Sequence, residues 1–446
     1  MLAQASGLDR AAISDNLQRL VRGIEIYHPQ PYHYTDSLTI ATLRQQLAEE
    51  LTSTPSARET YATYVRLACA FGDAHTRVWA SKVTGAYRDQ ARHLPLEVDV
   101  LADDHLVIRA DYRGGKSDLT GQRILAINNV TAPQLAATLR QYASRETDQL
   151  DRIQLSGRFA YFLWLVYGWE DFTLELASGA RQIAGLSGKD LSANRPPRPK
   201  RPVVLDSLLD KRTAYLRVRH FEGRVKFYKK KFKRVFRNFR AAGVDRLILD
   251  LRGHDGGDSR VGEELARYLA KEPFRPFAYS YWKATPAFKQ NFKEIYIPGA
   301  IRFALPLLKN FHPHLRAIYR AEDHALARVE YPLNKPYGPG KAFAGEVVLL
   351  TDENTFSAGT CFAALFKDNS LGKIVGRPSG NLANFHADGL VRIRLGEGVN
   401  IQISSSYLVR PSGDEKPAPV QPDVLLAPGE DALHIVRSQP AKAFLR

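Results

Sequence analysis

The chain has 446 residues, of which 44% are hydrophobic and 25% are charged, and its formal net charge is +16. This length exceeds one ordinary hydrophobic core and the composition excludes a disordered chain, so we expect two or three folded domains. No apolar run approaches the roughly 20 residues of a transmembrane helix, which predicts a protein without a membrane span.

The N-terminal segment MLAQASGLDRA has neither the charged n-region nor the apolar h-region of a signal peptide. The small-residue pattern Ala-Gln-Ala is nevertheless typical of the region next to a signal cleavage site. We therefore interpret the segment as the start of a mature exported chain that bears an initiator Met. A periplasmic or secreted location is the expectation that follows.

The first half of the chain predicts two modules. Residues 1–85 carry apolar residues at helical spacing and predict a helical N-terminal domain. Residues 86–190 predict a β-rich module, with hairpins in LPLEVDVLADDHLVIRADY and GWEDFTLELASGARQIAGL. Between these hairpins, LTGQRILAINNVTAPQLAATL gives a Gly-led turn, a buried strand, an Asn-Asn turn and a helix. This order resembles a PDZ-like module, which implies binding of peptide ends by strand addition.

Residues 191–205 are rich in Pro and Arg and predict an extended linker. In residues 206–446 strands and helices alternate, which predicts an α/β core with a largely parallel sheet. Residues 273–344 are aromatic and irregular, and we expect a helical insertion that covers a cleft. The fold class predicted for the whole chain is mixed α/β.

Much of the positive charge lies in residues 224–240, which predict an amphipathic surface helix. Its apolar stripe is followed by lysines and arginines on the remaining faces, and the stripe consists of Val225, Tyr228, Phe232, Val235 and Phe239. In a nucleic-acid groove the stacking aromatics face the same way as the charges, whereas here they face away. We therefore expect no nucleic-acid partner.

The only two cysteines, Cys69 and Cys361, exclude a disulfide framework and a cysteine-based zinc site. A single bridge between them stays open, although two buried free thiols are the preferred interpretation. We expect neither a metal nor a cofactor.

A small hydroxyl stands where a buried strand gives way to a helix in VVLLTDENTFSAGTCFAALFKDN, residues 347–369. Ser357 begins the helix, and a serine at this position commonly serves only as an N-cap. The alternative is a nucleophile, because the positive end of the helix dipole and free N–H groups stabilise developing negative charge. The segment alone leaves both interpretations open.

Two further segments carry chemistry. In LILDLRGHDGGDSR an apolar strand ends at Asp250, and Gly256 and Gly257 let the backbone approach an anion closely. This segment lacks the ending of a phosphate loop and the spaced glycines of a dinucleotide fingerprint. In FGDAHTRVW, His75 is flanked by Asp73 and Thr76. These flanks favour an oriented base more than the surroundings of the other candidates, His93, His105, His312 and His314.

With the late segment PSGDEKPAPVQPDV, these motifs resemble the C-terminal processing, or tail-specific, serine protease family. The family order is a strand ending in Asp-Leu-Arg-Gly, a Thr-x-Ser-Ala turn, an Ile-Val-Gly-x-Pro-Ser/Thr-Gly motif and a late Pro-Asp. The matching ranges here are 250–257, 355–358, 374–380 and 422–423. In one branch a late lysine activates the serine, but no lysine occurs from residue 374 to 415.

The tricorn-like branch instead uses an early histidine and a late glutamate. The resemblance therefore implies Ser357 as nucleophile, His75 as general base and Glu415 as the group that orients the imidazolium, directly or through a hydroxyl. It implies the backbone N–H groups of Gly256 and Ala358 as oxyanion donors. The implied function is a serine endopeptidase that cleaves unstructured or C-terminal polypeptide segments, so the expected partner is a peptide or unfolded protein.

Several residues depart from the family pattern. Asp255 replaces a glycine in the turn, where a carboxylate opposes charge on an oxyanion, and Asn381 stands where a second glycine is common. Asp414 adjoins Glu415 and competes for its role. His386 is an alternative base, although we predict it on the surface.

Two other functions stay open. A catalytically silent relative would keep the fold and bind a ligand or peptide. A basic protein would bind polyanions through residues 224–240.

Overall fold

The computed structural model describes residues 9–115, 117–197, 202–308, 310, 312–388, 391–396 and 398–439. The N-terminal Ala-Gln-Ala pattern and part of the predicted linker lie outside these residues. The helices are α1 (Arg10–Tyr27), α2 (Ser37–Glu50), α3 (Ala57–Cys69), α4 (Ser81–Gln90), α5 (Ala132–Leu139), α6 (Asp148–Tyr167), α7 (Gly188–Asn194), α8 (Val225–Ala241), α9 (Ser259–Leu269), α10 (Pro286–Tyr296), α11 (Leu305–Leu308), α12 (Pro313–Arg320), α13 (Ala358–Asp368) and α14 (Ala432–Ser438).

The strands are β1 (Arg77–Ala80), β2 (Arg92–His93), β3 (Leu96–Val100), β4 (Leu106–Asp111), β5 (Arg123–Ile127), β6 (Val130–Thr131), β7 (Asp171–Leu176), β8 (Gly179–Ala184), β9 (Leu186–Ser187), β10 (Val204–Leu208), β11 (Thr213–Val218), β12 (Arg246–Asp250), β13 (Tyr279–Lys283), β14 (Leu326–Glu330), β15 (Glu346–Thr351), β16 (Lys373–Gly376), β17 (Phe385–Ala387), β18 (Val391–Gly396), β19 (Val399–Ile403), β20 (Ser406–Val409) and β21 (Val424–Leu425). This content confirms the mixed α/β class.

The chain forms two compact units. The first comprises residues 1–198, 285–299 and 388–405, and the second comprises residues 199–284, 300–387 and 406–446. None of the helices in the described residues has the length and apolar character needed to cross a bilayer. The domain boundaries drawn from the sequence stay predictions.

The N-terminal part of the first unit is helical, as predicted. Helices α1, α2 and α3 each begin after a side chain that accepts a backbone N–H of the first turn, namely Asp9, Asp36 and Ser56. Apolar residues on one face of α1 recur at helical spacing and are fully buried: Ile13, Leu17, Leu20 and Ile24.

An antiparallel sheet follows in the order β3-β4-β5-β7-β8, with β6 paired to β5. Its hairpins β3–β4 and β7–β8 are the two that the sequence predicts. Helix α6 lies in the region that the sequence characterises as strand-like, and this part of the prediction was wrong. Its buried aromatic residues, such as Phe159, Phe162 and Trp164, suit a strand equally well by composition. The Thr147 cap, which accepts the N–H of Leu150, helps to set the start of the helix.

The second unit contains a six-stranded sheet in the order β10-β11-β12-β15-β16-β21. Only the β10–β11 pair is antiparallel, so the predicted largely parallel sheet is confirmed. Successive side chains of β12 point to opposite faces of the sheet. Leu247 and Leu249 pack in the cluster that contains α8, α9 and α13, whereas Ile248 packs with α14. Helices therefore cover both faces, as a parallel sheet requires.

Two predictions about strands need correction. The segment VNIQISSSYLV is two strands, because β19 pairs with β1 and β18 in the first unit, whereas β20 pairs with β13 and β17 in the second. The apolar pattern does not show that the hydrogen-bonding partner changes at Ser404. The insertion 273–344 also holds more than helices, since β13 and β14 join the antiparallel sheet β14-β13-β20-β17. Both cysteines are free thiols; Cys361 is buried, whereas Cys69 is partly exposed.

Helix α8 is amphipathic as predicted. Tyr228, Phe232, Val235 and Phe239 are buried, and Phe236 joins them. The neighbouring Lys233 is exposed. The aromatic stripe is therefore core, and the cations face solvent.

We expect Phe232→Ala to lower the free energy of unfolding by about 3–5 kcal/mol, because it empties the volume of a fully buried ring. Lys233→Ala is the matched control on the exposed face, with an expected change within about 0.5 kcal/mol. Urea denaturation monitored by circular dichroism measures both values. Equal effects of the two substitutions would contradict the packing of α8.

Candidate active site

Ser357 occupies a strained position between β15 and α13. Its φ of 53° and ψ of −120° lie outside the regions that ordinary residues favour. Within the described first turn of α13, its side chain makes no capping hydrogen bond. Ser357 is therefore the N-cap residue by position, but its hydroxyl does not serve as the cap. A strained serine on a strand-to-helix turn is the geometry of a nucleophile elbow, which exposes the hydroxyl.

The loop after β12 supports this turn. Phe356 donates its N–H to the carbonyl of His254 at 2.9 Å, and Thr355 Oγ1 donates to the carbonyl of Leu251 at 3.0 Å. Asp352 Oδ1 accepts the N–H of Gly253 at 2.9 Å. The serine turn and the Gly-rich loop are thus one hydrogen-bonded structure.

Asn381 holds the backbone of the serine. The N–H of Ser357 donates to Asn381 Oδ1 at 2.6 Å, and Asn381 is fully buried. Ser379 fixes this asparagine in turn, because its Oγ donates to the Asn381 carbonyl and accepts the N–H of Val420, each at 2.9 Å. In the sequence, Asn381 was notable only because the family commonly has a glycine at this position. That difference was the one indication of its role.

Gly256 lies against Ser357, and Ala358 follows Ser357 in the chain. Gly256 has φ +103°, and a Cβ at this position would lie 2.7 Å from the Cβ of Ser357, so no larger residue fits. Ala358 is the first residue of α13, where backbone N–H groups have no partner within the helix. The N–H of Gly256 donates to His254 Nδ1 at 3.1 Å.

His254 is a site residue that sequence reasoning missed. It is fully buried, and its ring packs edge-on against Phe221 at 4.2 Å between centroids. Burial lowers the pKa of His254 to about 3, so the imidazole is neutral and accepts the Gly256 N–H. Its place in the Gly-rich motif was the only sequence signal.

Asp250 and Asp255, two of the acidic residues in this segment, have different surroundings. Asp250 is fully buried and accepts hydrogen bonds from the Tyr215 hydroxyl at 2.6 Å and from the Arg252 side chain. Asp255, the residue that replaces a family glycine, is exposed. Water therefore screens the Asp255 carboxylate.

His75 belongs to the first unit and lies between α3 and β1. The backbone N–H of His75 donates to Asp73 Oδ1 at 2.9 Å. The Oγ1 of the adjacent Thr76 accepts the backbone N–H of Ser404 at 3.1 Å. His75 is buried, and this burial lowers its pKa to about 4, although the Asp73 carboxylate opposes the shift. The imidazole is therefore neutral near pH 7 and able to accept a proton.

Glu415, in the second unit, is exposed and accepts a hydrogen bond from the hydroxyl of Tyr279. This bond raises the pKa of Tyr279 to about 12. The neighbouring Asp414 uses its backbone carbonyl to accept a hydrogen bond from Asn384. His386 is fully buried in β17 against Tyr407, so its predicted surface position was wrong.

Comparison with known proteins identifies the family of the domain that carries Ser357. Residues 212–426 match the sequence model of peptidase family S41. The chain carries a peptidase family S41 domain. The resemblance read from the motifs is confirmed, and the protein is a serine peptidase, a hydrolase. A search of curated proteins finds no match.

Solved structures share the fold of this S41 protein. Mature CPAF has 14% sequence identity and a TM-score of 0.63, with 94% of this chain and 93% of that chain covered. Mature CPAF complexed with lactacystin has 15% identity and a TM-score of 0.62, with 93% and 94% covered. A putative peptidase from Parabacteroides merdae has 12% identity and a TM-score of 0.50, with 96% and 93% covered.

We expect Asn381→Ala to lower kcat about tenfold to a hundredfold, because it removes the acceptor that fixes the Ser357 backbone. Asn369→Ala is the control, since Asn369 caps the opposite end of the same helix. Peptide cleavage and thermal unfolding are measured for both variants. An Asn381→Ala protein that is as active as the Asn369→Ala protein would refute the positioning role.

The depressed pKa of His75, the base that the sequence predicts, leads to an expected pH dependence of cleavage. Because the free base persists down to about pH 4, kcat/KM should stay level from pH 7 to about 5 and then fall. The unfolded state takes up this proton near pH 6.5, so folding stability also declines as the pH drops from there through about 4. Circular dichroism at each pH must therefore show folded protein. An acid limb centred near pH 6.5 would be inconsistent with a buried base.

Proposed function

We propose that this S41 protein is a serine endopeptidase that hydrolyses peptide bonds in unstructured or C-terminal polypeptide segments, with Ser357 as nucleophile and His75 as general base. The observation that carries the proposal is the strained Ser357 at the start of α13, held by Asn381 and flanked by Gly256. Energy stored in such a backbone is retained at functional sites, where it presents a reacting group.

In the proposed reaction, His75 takes the proton of the Ser357 hydroxyl as the oxygen attacks the peptide carbonyl carbon. The imidazolium then gives this proton to the leaving amine, which departs and leaves an acyl-enzyme. Water then gives a proton to the same imidazole as it attacks the ester carbon. The ester bond to Ser357 breaks, the serine oxygen takes the proton back, and the carboxylic acid product leaves. The neutral state of His75 at pH 7 suits the first step.

The oxyanion of each tetrahedral intermediate accepts hydrogen bonds from the N–H groups of Ala358 and Gly256 in this proposal. Ala358 lies at the positive end of the α13 dipole. Gly256 donates to His254 in the resting structure. During the reaction the Gly256 N–H therefore has to leave the His254 imidazole and donate to the oxyanion, or donate to both acceptors at once.

Glu415 is proposed to complete the relay by compensating the imidazolium. Its exposed carboxylate already accepts the Tyr279 hydroxyl, which supplies the kind of intervening group that such a relay uses. For substrate recognition we propose strand addition to the antiparallel sheet of the first unit, whose edge strands are β3 and β8.

A second candidate function is polyanion binding by α8. Its exposed face carries Lys226, Lys229, Lys230, Lys233, Arg234 and Arg237. Such a face attracts anionic surfaces in a salt-dependent way. Binding of this kind would survive removal of the serine hydroxyl.

Cleavage of a pool of unstructured peptides, read by mass spectrometry, tests the proposed function. Ser357→Ala and His75→Ala should each lower cleavage by at least about a thousandfold, because each removes a member of one catalytic unit. The control Ser438→Ala alters an exposed residue and the control His105→Ala a partly exposed one, and both should retain wild-type rates. Glu415→Gln should give an intermediate loss.

The same proteins separate the alternatives. Labelling of wild type but not Ser357→Ala by a serine-directed phosphonate would support the nucleophile, and binding of lactacystin offers a second probe. If wild type and both catalytic variants are equally inactive and unlabelled, a silent binding relative replaces the peptidase. Salt-sensitive polyanion binding as the only activity would favour α8 instead.

A further inference from the structure

A buried carboxylate outside the proposed relay lies beside His75 in the first unit. Glu146 is 6% exposed, and one side-chain ligand atom of each of Glu146, His75 and Asp73 lies within 4.8 Å of the other two. Burial of a carboxylate is costly unless a compensating partner is close. The Glu146 carboxylate is therefore close enough to compensate a positive charge on the His75 ring.

Two hydrogen bonds of Ser144 hold the loop that carries Glu146. Ser144 Oγ donates to the carbonyl of Gly72 at 2.9 Å, which joins the loop to the residue before Asp73. The Ser144 N–H donates to Gln154 on α6 at 3.0 Å. Gly72 has φ +81°, and a Cβ there would lie 2.6 Å from the Cβ of Tyr34, so the close approach requires glycine. Glu146 is thus placed by the fold.

Asp73 already has two partners of its own. Its Oδ1 accepts the backbone N–H of His75, and its Oδ2 lies 3.4 Å from Nε2 of His28. It therefore shapes the turn and contacts a second imidazole. Glu146 reaches the same cluster from a separate segment, more than 70 residues further along the chain.

A buried histidine that accepts a proton needs a nearby anion to stabilise its positive charge. Burial disfavours the protonated form of His75, so the imidazolium that forms during catalysis needs compensation in place. Of the charged groups around His75, Asp73 raises its pKa and Arg77 lowers it. Glu146 lies in the same cluster, and His28 faces Asp73.

We propose that Glu146 is a positioning residue for the reaction, whose carboxylate orients the imidazole of His75 and stabilises it when it carries the serine proton. This inference rests on the proposed function, in which His75 is the base. It adds a carboxylate from the first unit to the relay implied by the family, in which the exposed Glu415 comes from the second.

Glu146→Gln tests this role, because the amide keeps the volume and removes the charge. We expect kcat to fall about tenfold to a hundredfold with KM nearly unchanged. The acid limb of kcat/KM should move to lower pH, since loss of an anion lowers the pKa of the neighbouring imidazole. Glu146→Asp should recover part of the rate. The control Asp148→Asn removes an exposed carboxylate two residues away and should match wild type.

An acid limb that does not move overturns the proposal, even if the rate falls, because a structural role would lower the active fraction alone. Thermal unfolding of each variant reports that fraction. The same cluster of one imidazole and two carboxylates resembles a cation site, so cleavage is repeated with a chelator. Loss of activity with the chelator and recovery with Zn²⁺ would make Glu146 a ligand and also overturn the proposal.

Titration of the His75 ring by NMR in the Ser357→Ala protein tests the Glu146–His75 pairing separately from peptidase activity. Absence of Ser357-dependent cleavage in wild type refutes the peptidase mechanism. In that case a His75 pKa that is unchanged by Glu146→Gln overturns the pairing as well. A pKa that falls in the Glu146→Gln protein supports the pairing whether or not peptides are cleaved.

Discussion

The strained backbone of Ser357 is the constraint on which the rest of the site depends. The strain energy of a positive φ at a β-strand-to-helix junction has to be offset by surrounding contacts. Asn381 accepts the Ser357 N–H, and the preceding Phe356 N–H is bound by the carbonyl of His254. The parallel sheet supplies the anchors, because β12 and β15 are neighbours and their carboxyl ends bring both loops together.

Burial governs the acid–base chemistry in both units. His75 and His254 are both neutral because water is excluded from their rings. The His254 imidazole accepts a backbone N–H and fixes a loop, whereas His75 is the proposed base. The carboxylates differ in the same way, since Asp250 is buried among donors and Asp255 is exposed to solvent.

The lysines and arginines of α8 lie mainly on its solvent-facing surface, apart from its buried aromatic residues. In α8 four aromatic residues, Tyr228, Phe232, Phe236 and Phe239, are buried, whereas most of the lysines are exposed, so the charge run reflects a solvated surface. Such a surface influences which peptides approach, because long-range attraction acts before contact. The serine turn depends on hydrogen bonds and tight packing, which act only at short range.

The sequence by itself determined the helical N-terminal region, the largely parallel sheet, the amphipathic α8 and the family, because periodicity and ordered motifs are local properties of the chain. It also singled out Ser357 and His75. Their catalytic pairing with Glu415 stays a prediction.

Only the tertiary structure decided that Asn381 holds the serine, that His254 binds the Gly256 N–H, that His386 is buried, and that Glu146 lies beside His75. These facts depend on contacts between segments far apart in the chain. A single sequence does not encode such contacts in any local pattern. The split of VNIQISSSYLV into β19 and β20 has the same cause, since a strand's partner is chosen by the fold and not by the strand's own alternation.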